Sequence, residues 1–216
     1  QIDPLYTVDL SDPADPRVLG ELKIPGYSAY LHPVGDGRLV GVGQDATEEG
    51  VPTGTQVSLF DVSDLTDPRR IDTVGLDGAL SEVEHDPHAF LYWPRDDLVV
   101  VPVQGLGPPV PLPEPEEGLM EDPAELWVPP SGEALVLRLE GDSLTEVGRL
   151  GHPVAADPYE PWIDASVRRS LVVGDELWTV SSAGVMANDV RVLSEQAWIP
   201  FDLLRARRRR DASGAR

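Results

Sequence analysis

Cysteine is absent from the 216 residues, and its absence excludes a disulfide framework, a zinc ribbon and a thiol nucleophile. Positive charge is scarce. Seventeen Lys plus Arg face 38 Asp plus Glu, Lys23 being the single lysine, and the net charge is −21. Such a chain repels phosphate backbones and anionic lipid, so no nucleic-acid partner is expected for its body, and cations are the natural counter-partners. No apolar run approaches the roughly 18 residues that a membrane span needs, so no span is expected. Also missing are a Gly-rich phosphate loop, a dinucleotide fingerprint, a nucleophile elbow and a metalloprotease helix, so no motif speaks for an enzyme. The chain opens Gln1-Ile2-Asp3-Pro4 without a basic or apolar leader pattern, and it reads as a piece of a longer protein.

What is abundant is glycine and proline, 20 and 22 residues, about one position in five. That disfavours long helices and suits many short strands and turns, and the fold class expected is all-β. A repeat then sets the architecture. Asp9-Leu10-Ser11-Asp12-Pro13-Ala14-Asp15-Pro16-Arg17 returns 52 residues later as Asp61-Val62-Ser63-Asp64-Leu65-Thr66-Asp67-Pro68-Arg69, with six of nine positions identical. Each copy lies between two strand patterns. Degraded copies follow at 135–150 and 177–201, the third displaced by about 77 residues rather than 52. Further apolar runs at 29–31, 38–42, 89–92, 98–101 and 170–173 raise the count to four strands per period of about 50, the arithmetic of a propeller blade. The expectation is a β-propeller of about four blades of four-stranded antiparallel sheet over residues 1–204. Gly35-Asp36-Gly37 and Arg95-Asp96-Asp97 fall at its hairpin turns.

The excess spacing is assigned to an insertion at 105–131, which holds eight prolines and six acids and is expected to be an exposed, partly disordered loop. A tether is the first reading of it and a partner-binding loop the second. Residues 205–216 carry six arginines against Asp211. They are expected to be a disordered, solvated tail, with an interaction tail as the alternative.

Two segments could carry chemistry. In the Asp-x-Ser-Asp-x-x-Asp-Pro turns the side chains can bond amides one to three residues on, and Pro16 and Pro68 preset φ, so a structural turn is expected. Ca²⁺ is the alternative, although no Asp-x-Asp-x-Asp-Gly loop or bidentate Glu follows. The second segment is Ser81-Glu82-Val83-Glu84-His85-Asp86-Pro87-His88, where two histidines stand three apart beside three acids. His85, His88, Glu82, Glu84 and Asp86 are the candidate ligands for a divalent metal such as Zn²⁺, Mn²⁺ or Fe²⁺. Pro87 excludes the helix that would set them on one face, and the competing reading is a polar network that ties neighbouring turns. A general acid/base role is the remaining alternative, and otherwise no cofactor is expected. His32 and His152, each before a proline, read as surface or turn residues.

Gly-Val-Gly-Gln-Asp at 41–45, Val-Ser-Leu-Phe-Asp-Val-Ser-Asp at 57–64, the segment at 81–92, and Arg-Arg-Ser-Leu-Val-Val-Gly-Asp-Glu-Leu-Trp-Thr-Val-Ser at 168–181 together resemble the bacterial and archaeal beta-propeller domain family. The resemblance implies a secreted or surface-anchored protein whose C-terminal propeller is distantly similar to Trp-Asp repeat propellers. It also implies that the chain is the C-terminal part of a larger propeller whose remaining blades lie elsewhere. Pro87-His88 departs from the lysine of the family pattern. The expected function is a non-enzymatic extracytoplasmic module for protein interaction or scaffolding with a protein or surface partner. A metal-assisted propeller hydrolase or lyase with an acidic channel site is the alternative.

Overall fold

The computed structural model describes residues 3–105, 132–153 and 164–201. The insertion expected at 105–131, Gly105 apart, and the tail expected at 205–216 lie outside the described residues. Among the described residues fifteen strands run in chain order: β1 Leu5–Asp9, β2 Arg17–Leu22, β3 Tyr27–Gly35, β4 Arg38–Ala46, β5 Pro52–Asp61, β6 Arg69–Asp77, β7 Leu80–Ser81, β8 Leu91–Trp93, β9 Leu98–Gln104, β10 Gly132–Glu140, β11 Ser143–Leu150, β12 Arg169–Val173, β13 Glu176–Val180, β14 Gly184–Asp189 and β15 Glu195–Pro200. The only helical elements among the described residues are two 3-10 turns, Glu82–Glu84 and Pro87–Ala89.

All pairing is antiparallel. It gives a two-stranded sheet β1-β2, a sheet β3-β4-β5-β6, a sheet β11-β10-β9 whose next edge is shared by β7 and β8, and a sheet β12-β13-β14-β15. The expected all-β class and four-strand antiparallel sheets are present. The repeat is visible as register: the outer hairpins carry the same one-residue shift at Thr7/Val8, Leu59/Phe60, Val136/Leu137 and Ala187/Asn188. A bulge increases local twist, and its recurrence gives each outer hairpin the same bend. The expected hairpin turns are there too, with φ of 91° at Gly35, 48° at Asp36, 70° at Gly37 and 50° at Asp97. Gly132 pairs with Gln104, so the segment at 106–131 leaves and returns at neighbouring ends of one ladder.

Period-2 alternation explains how the sheets stack. On β9, Val99 and Val101 join Val40, Val57 and Leu59 of the preceding sheet in one cluster, while Leu98 and Val100 join Leu177, Val167 and Val190 on the other side. The middle sheet is therefore buried on both faces, which is why β9 from Leu98 to Val103 and β10 from Ala134 to Leu137 read as unbroken apolar runs.

In the acidic turns, the Asp9 carboxylate accepts from the Ser11 amide at 2.9 Å and Asp12 from the Ala14 amide at 3.0 Å. Asp61 accepts from the Ser63 amide and hydroxyl, and Asp64 from those of Thr66. Asp15 and Asp67 pair with Arg17 and Arg69. Each carboxylate of the motif is thus engaged within its own turn, as the structural reading requires.

Two histidines differ from their expected surface positions. His32 lies within β3, paired opposite Val40, in a ring cluster with Tyr30, Phe90 and Tyr92. Pro33 is tolerated there because β3 is the edge strand of its sheet. His152 is buried between the last two sheets, with Nδ1 2.7 Å from Ser181 Oγ, Nε2 2.8 Å from Thr179 Oγ1, and its ring against the edge of Trp198. Tertiary contacts decide both cases, and a His-Pro pair read locally does not contain them.

Candidate functional site

The acidic, histidine-bearing segment sits where the edge of the middle sheet is interrupted. β7 and β8 both pair with β9, and the chain between them leaves the sheet as the two 3-10 turns. Ser81 Oγ donates to the Pro102 carbonyl at 2.8 Å and accepts from the Val83 amide, capping the first turn. Asp86 caps the second by accepting from the His88 amide at 3.0 Å, with Pro87 in the first position where no amide is needed. Val83 and Ala89 are buried in the main core cluster. Two apolar anchors and two caps therefore hold the segment against the sheet while its charged groups face outward.

Those charged groups meet arginines from the following sheet. Arg168 holds Glu82 in a two-pronged contact, Nε to Oε2 at 2.9 Å and Nη2 to Oε1 at 3.1 Å. Arg169 reaches Glu82 Oε1 at 2.9 Å through Nη1 and Asp86 through Nη2. His88 Nδ1 lies 2.9 Å from the second Asp86 oxygen, and its side chain is exposed. Glu84 turns the other way and accepts from the Tyr27 hydroxyl at 3.0 Å, leaving its Oε1 buried without a hydrogen-bond partner among the described residues. The Arg168 bonds hold the Glu82 carboxyl below its ordinary range against the opposing effect of burial, with Arg169 adding to them. The His88 amide and ring lower Asp86, assisted by Arg169.

A groove of about 360 Å³ opens beside the first turn. Gln44 from the end of β4, Gln104 from the end of β9 and Arg168 line it together with Glu82, Glu84 and His85. Residues of three sheets converge here, but every acid and imidazole among them comes from the single segment 82–88. Of the five candidate metal ligands, Glu82, Asp86 and His88 are linked through Arg169 and one another, Glu84 faces Tyr27, and His85 is exposed in the groove wall. Among the described residues no group of three or more His, Asp or Glu has an arrangement that could hold a metal ion.

Arg168, Arg169, Tyr27, Gln44 and Gln104 had no assigned role in the sequence. The two arginines stand more than 80 residues from their partners, and no local pattern carries a contact of that span. Glu82→Gln removes the charge that two guanidinium groups share. It is expected to lower stability by about 1–2 kcal/mol, because Glu82 is largely buried while Arg168 is half exposed. Urea melts of Glu82→Gln, Arg168→Ala and the double variant measure the coupling. A double variant that loses less than the sum of the two single losses confirms the Arg168–Glu82 pair, with the Arg169–Glu82 contact accounting for what Glu82→Gln still costs beside Arg168→Ala, and strict additivity rejects it.

The sequence profile of the family described as beta propeller domain matches residues 1–193. Two archaeal proteins align over 102 residues at 42% identity, an uncharacterized protein of Methanocaldococcus jannaschii and an uncharacterized protein of Archaeoglobus fulgidus. Each alignment takes in 47% of this chain, which spans only 16% of the length of the curated relatives it matches.

Proposed function

The chain belongs to the beta propeller domain family, and from that premise we propose that it serves as a non-enzymatic module for protein interaction or scaffolding outside the cytoplasm. One observation carries the reading. The groove at residues 82–88 draws on three sheets, but its acids and histidines come from one segment, and the Arg168–Glu82–Arg169–Asp86 network engages two of those acids. A hydrolase or lyase with an acidic channel site needs carboxylates or imidazoles converging from several sheets on one reacting position. A network of this kind instead fixes the groove wall and presents a shaped, acidic face, and propeller loops held by a rigid scaffold suit binding. The net charge of −21 favours a protein or surface partner with cationic groups over nucleic acid. No helix among the described residues is long and apolar enough to cross a membrane. The extracytoplasmic placement is supported by the resemblance of the four segments at 41–45, 57–64, 81–92 and 168–181 to secreted and surface-anchored members.

The competing proposal puts a divalent metal at His85, His88, Glu82, Glu84 and Asp86. Thermal melting with Ca²⁺, Zn²⁺ and Mn²⁺, together with metal analysis of the purified chain, separates the two, since an ion that binds the native state alone must raise the melting temperature. The module reading expects no shift with any of the three ions. A rise of several degrees with stoichiometric metal, lost in His85→Ala or His88→Ala, overturns it in favour of the metal site.

A further inference from the structure

Resting on the module reading above, we propose that the groove beside the first 3-10 turn receives an arginine side chain of a partner protein, with Glu84 as its counter-charge, Gln44 and Gln104 as further acceptors and Leu80 against its aliphatic stem. The charges on this face single out Glu84. Three acids stand there against two arginines, and both arginines are engaged: Arg168 is held by Glu82 in a two-pronged contact, and Arg169 spans Glu82 and Asp86. One negative charge is left over. It rests on Glu84, whose described partner is the neutral Tyr27 hydroxyl and whose Oε1 is buried without a hydrogen-bond partner among the described residues. A buried carboxylate oxygen without a donor is costly, so a cationic donor seated in the groove is favoured twice, by charge and by hydrogen bonding.

The sheet registers place the other contributors around it. Gln44 pairs opposite Tyr27, the residue that holds Glu84, and Gln104 pairs opposite Leu80, so each couple shares a face of its sheet. Gln44 gives its backbone carbonyl to Gln56 at 2.9 Å, but the side-chain amides of Gln44 and Gln104 have no hydrogen bond with a described residue. Leu80 lies in the groove wall and is 60% exposed. An ion alone makes no use of such a surface. An arginine uses all of it, because its stem packs on apolar carbon while its planar head offers five N–H donors to a carboxylate and amide oxygens at once. The groove of about 360 Å³ is open to solvent along its length, which suits a side chain presented by a protein segment.

The probe is the capped peptide Gly-Ser-Arg-Ser-Gly, titrated into the isotope-labelled 216-residue chain at about 0.15 M salt and followed by NMR. It is expected to shift the side-chain amides of Gln44 and Gln104 saturably, and its citrulline counterpart, equal in shape but uncharged, to shift neither. Glu84→Gln keeps an acceptor for Tyr27 and is expected to weaken binding about tenfold, and Leu80→Ser about threefold. Asp142→Asn removes the same charge beside Arg38, at the opposite end of β4 from Gln44, and is expected to change binding less than about twofold. Equal weakening by Glu84→Gln and Asp142→Asn, or equal binding of the citrulline peptide, rejects the site. Binding that appears only after Arg207, Arg208, Arg209 and Arg210 are changed to Gln shows that the chain's own basic segment fills the groove, and it overturns the assignment to a partner. If the peptide shifts nothing in either chain and Ca²⁺ and Zn²⁺ leave the His85 and His88 ring signals in place, the arginine site is rejected and the module reading stands. Peptide failure with stoichiometric movement of those ring signals rejects both.

Discussion

Gly43→Ala is expected to cost about 3 kcal/mol of stability or more. A Cβ at Gly43 would stand 2.0 Å from the Tyr27 carbonyl oxygen, 2.8 Å from Ser28 Cα and 2.9 Å from the Ala29 nitrogen. All three are backbone atoms, so no rotamer change can relieve the clash. The closeness comes from the irregularity in β3, where Ser28 opposes Gly43 but Tyr30 opposes Val42, leaving Ala29 as the extra residue pressed toward β4. β4 is laddered to β3 on one side and β5 on the other, so it cannot retreat without breaking a second ladder. Gly75→Ala is the control: nothing lies within 4 Å of the added carbon, and the change is expected to stay within about 0.5 kcal/mol. Urea denaturation of the two variants beside the parent checks the pair, and comparable losses in both would refute the backbone-clash account. The same strand ends carry Tyr27 and Gln44, so the variant should also release the Tyr27 hydroxyl from Glu84 and alter the groove.

Stability is expected to fall by about 3 kcal/mol between pH 6.5 and pH 4, with His152 as the principal cause. Burial lowers its pKa from 6.5 to about 4, because Ser181 and Thr179 offer hydroxyls but no opposing charge for an imidazolium. Above pH 6.5 the ring is neutral in both folded and unfolded chains and full stability is present. As pH falls through the window the unfolded chain takes up a proton that the folded chain refuses, and the loss levels off once the folded ring protonates near pH 4. His32, lowered by burial among its aromatic neighbours, acts in the same direction. Glu82 and Asp86 work through depressed carboxyl pKa values, so their contribution is lost only below the ordinary carboxylate range, mostly under this window. His152→Gln keeps hydrogen-bonding capacity without a titrating ring. Urea midpoints at pH 7, 6, 5 and 4.5 should show a shallower slope in the variant. An unchanged slope would assign the acid sensitivity elsewhere.

The candidate site was legible only in part. Glu82, Glu84, His85, Asp86 and His88 stand together in the sequence, and the structure keeps them on one segment beside a groove. Their partners were not legible. Arg168 and Arg169 belong to another sheet, and the residue that turns Glu84 aside, Tyr27, lies 57 positions upstream. A local cluster of acids and histidines looks alike whether it will face a cation or an arginine, because the deciding group arrives through packing.

By itself the sequence determined the all-β class, the strand-turn-strand frame and its spacing, since these follow from short-range chemistry repeated along the chain. Asx bonds closed by Pro16 and Pro68 make the turns, positive φ at Gly35 and Gly37 makes the hairpin, and alternation assigns side chains to faces. The displacement of about 77 residues between the second and third copies matches the distance between the shifts at Phe60 and Leu137. Only the tertiary structure decided which carboxylates are engaged by arginines and that His152 is enclosed rather than solvated. Each of these depends on which surfaces meet when sheets distant in the chain stack, and burial and charge pairing take their values from that meeting.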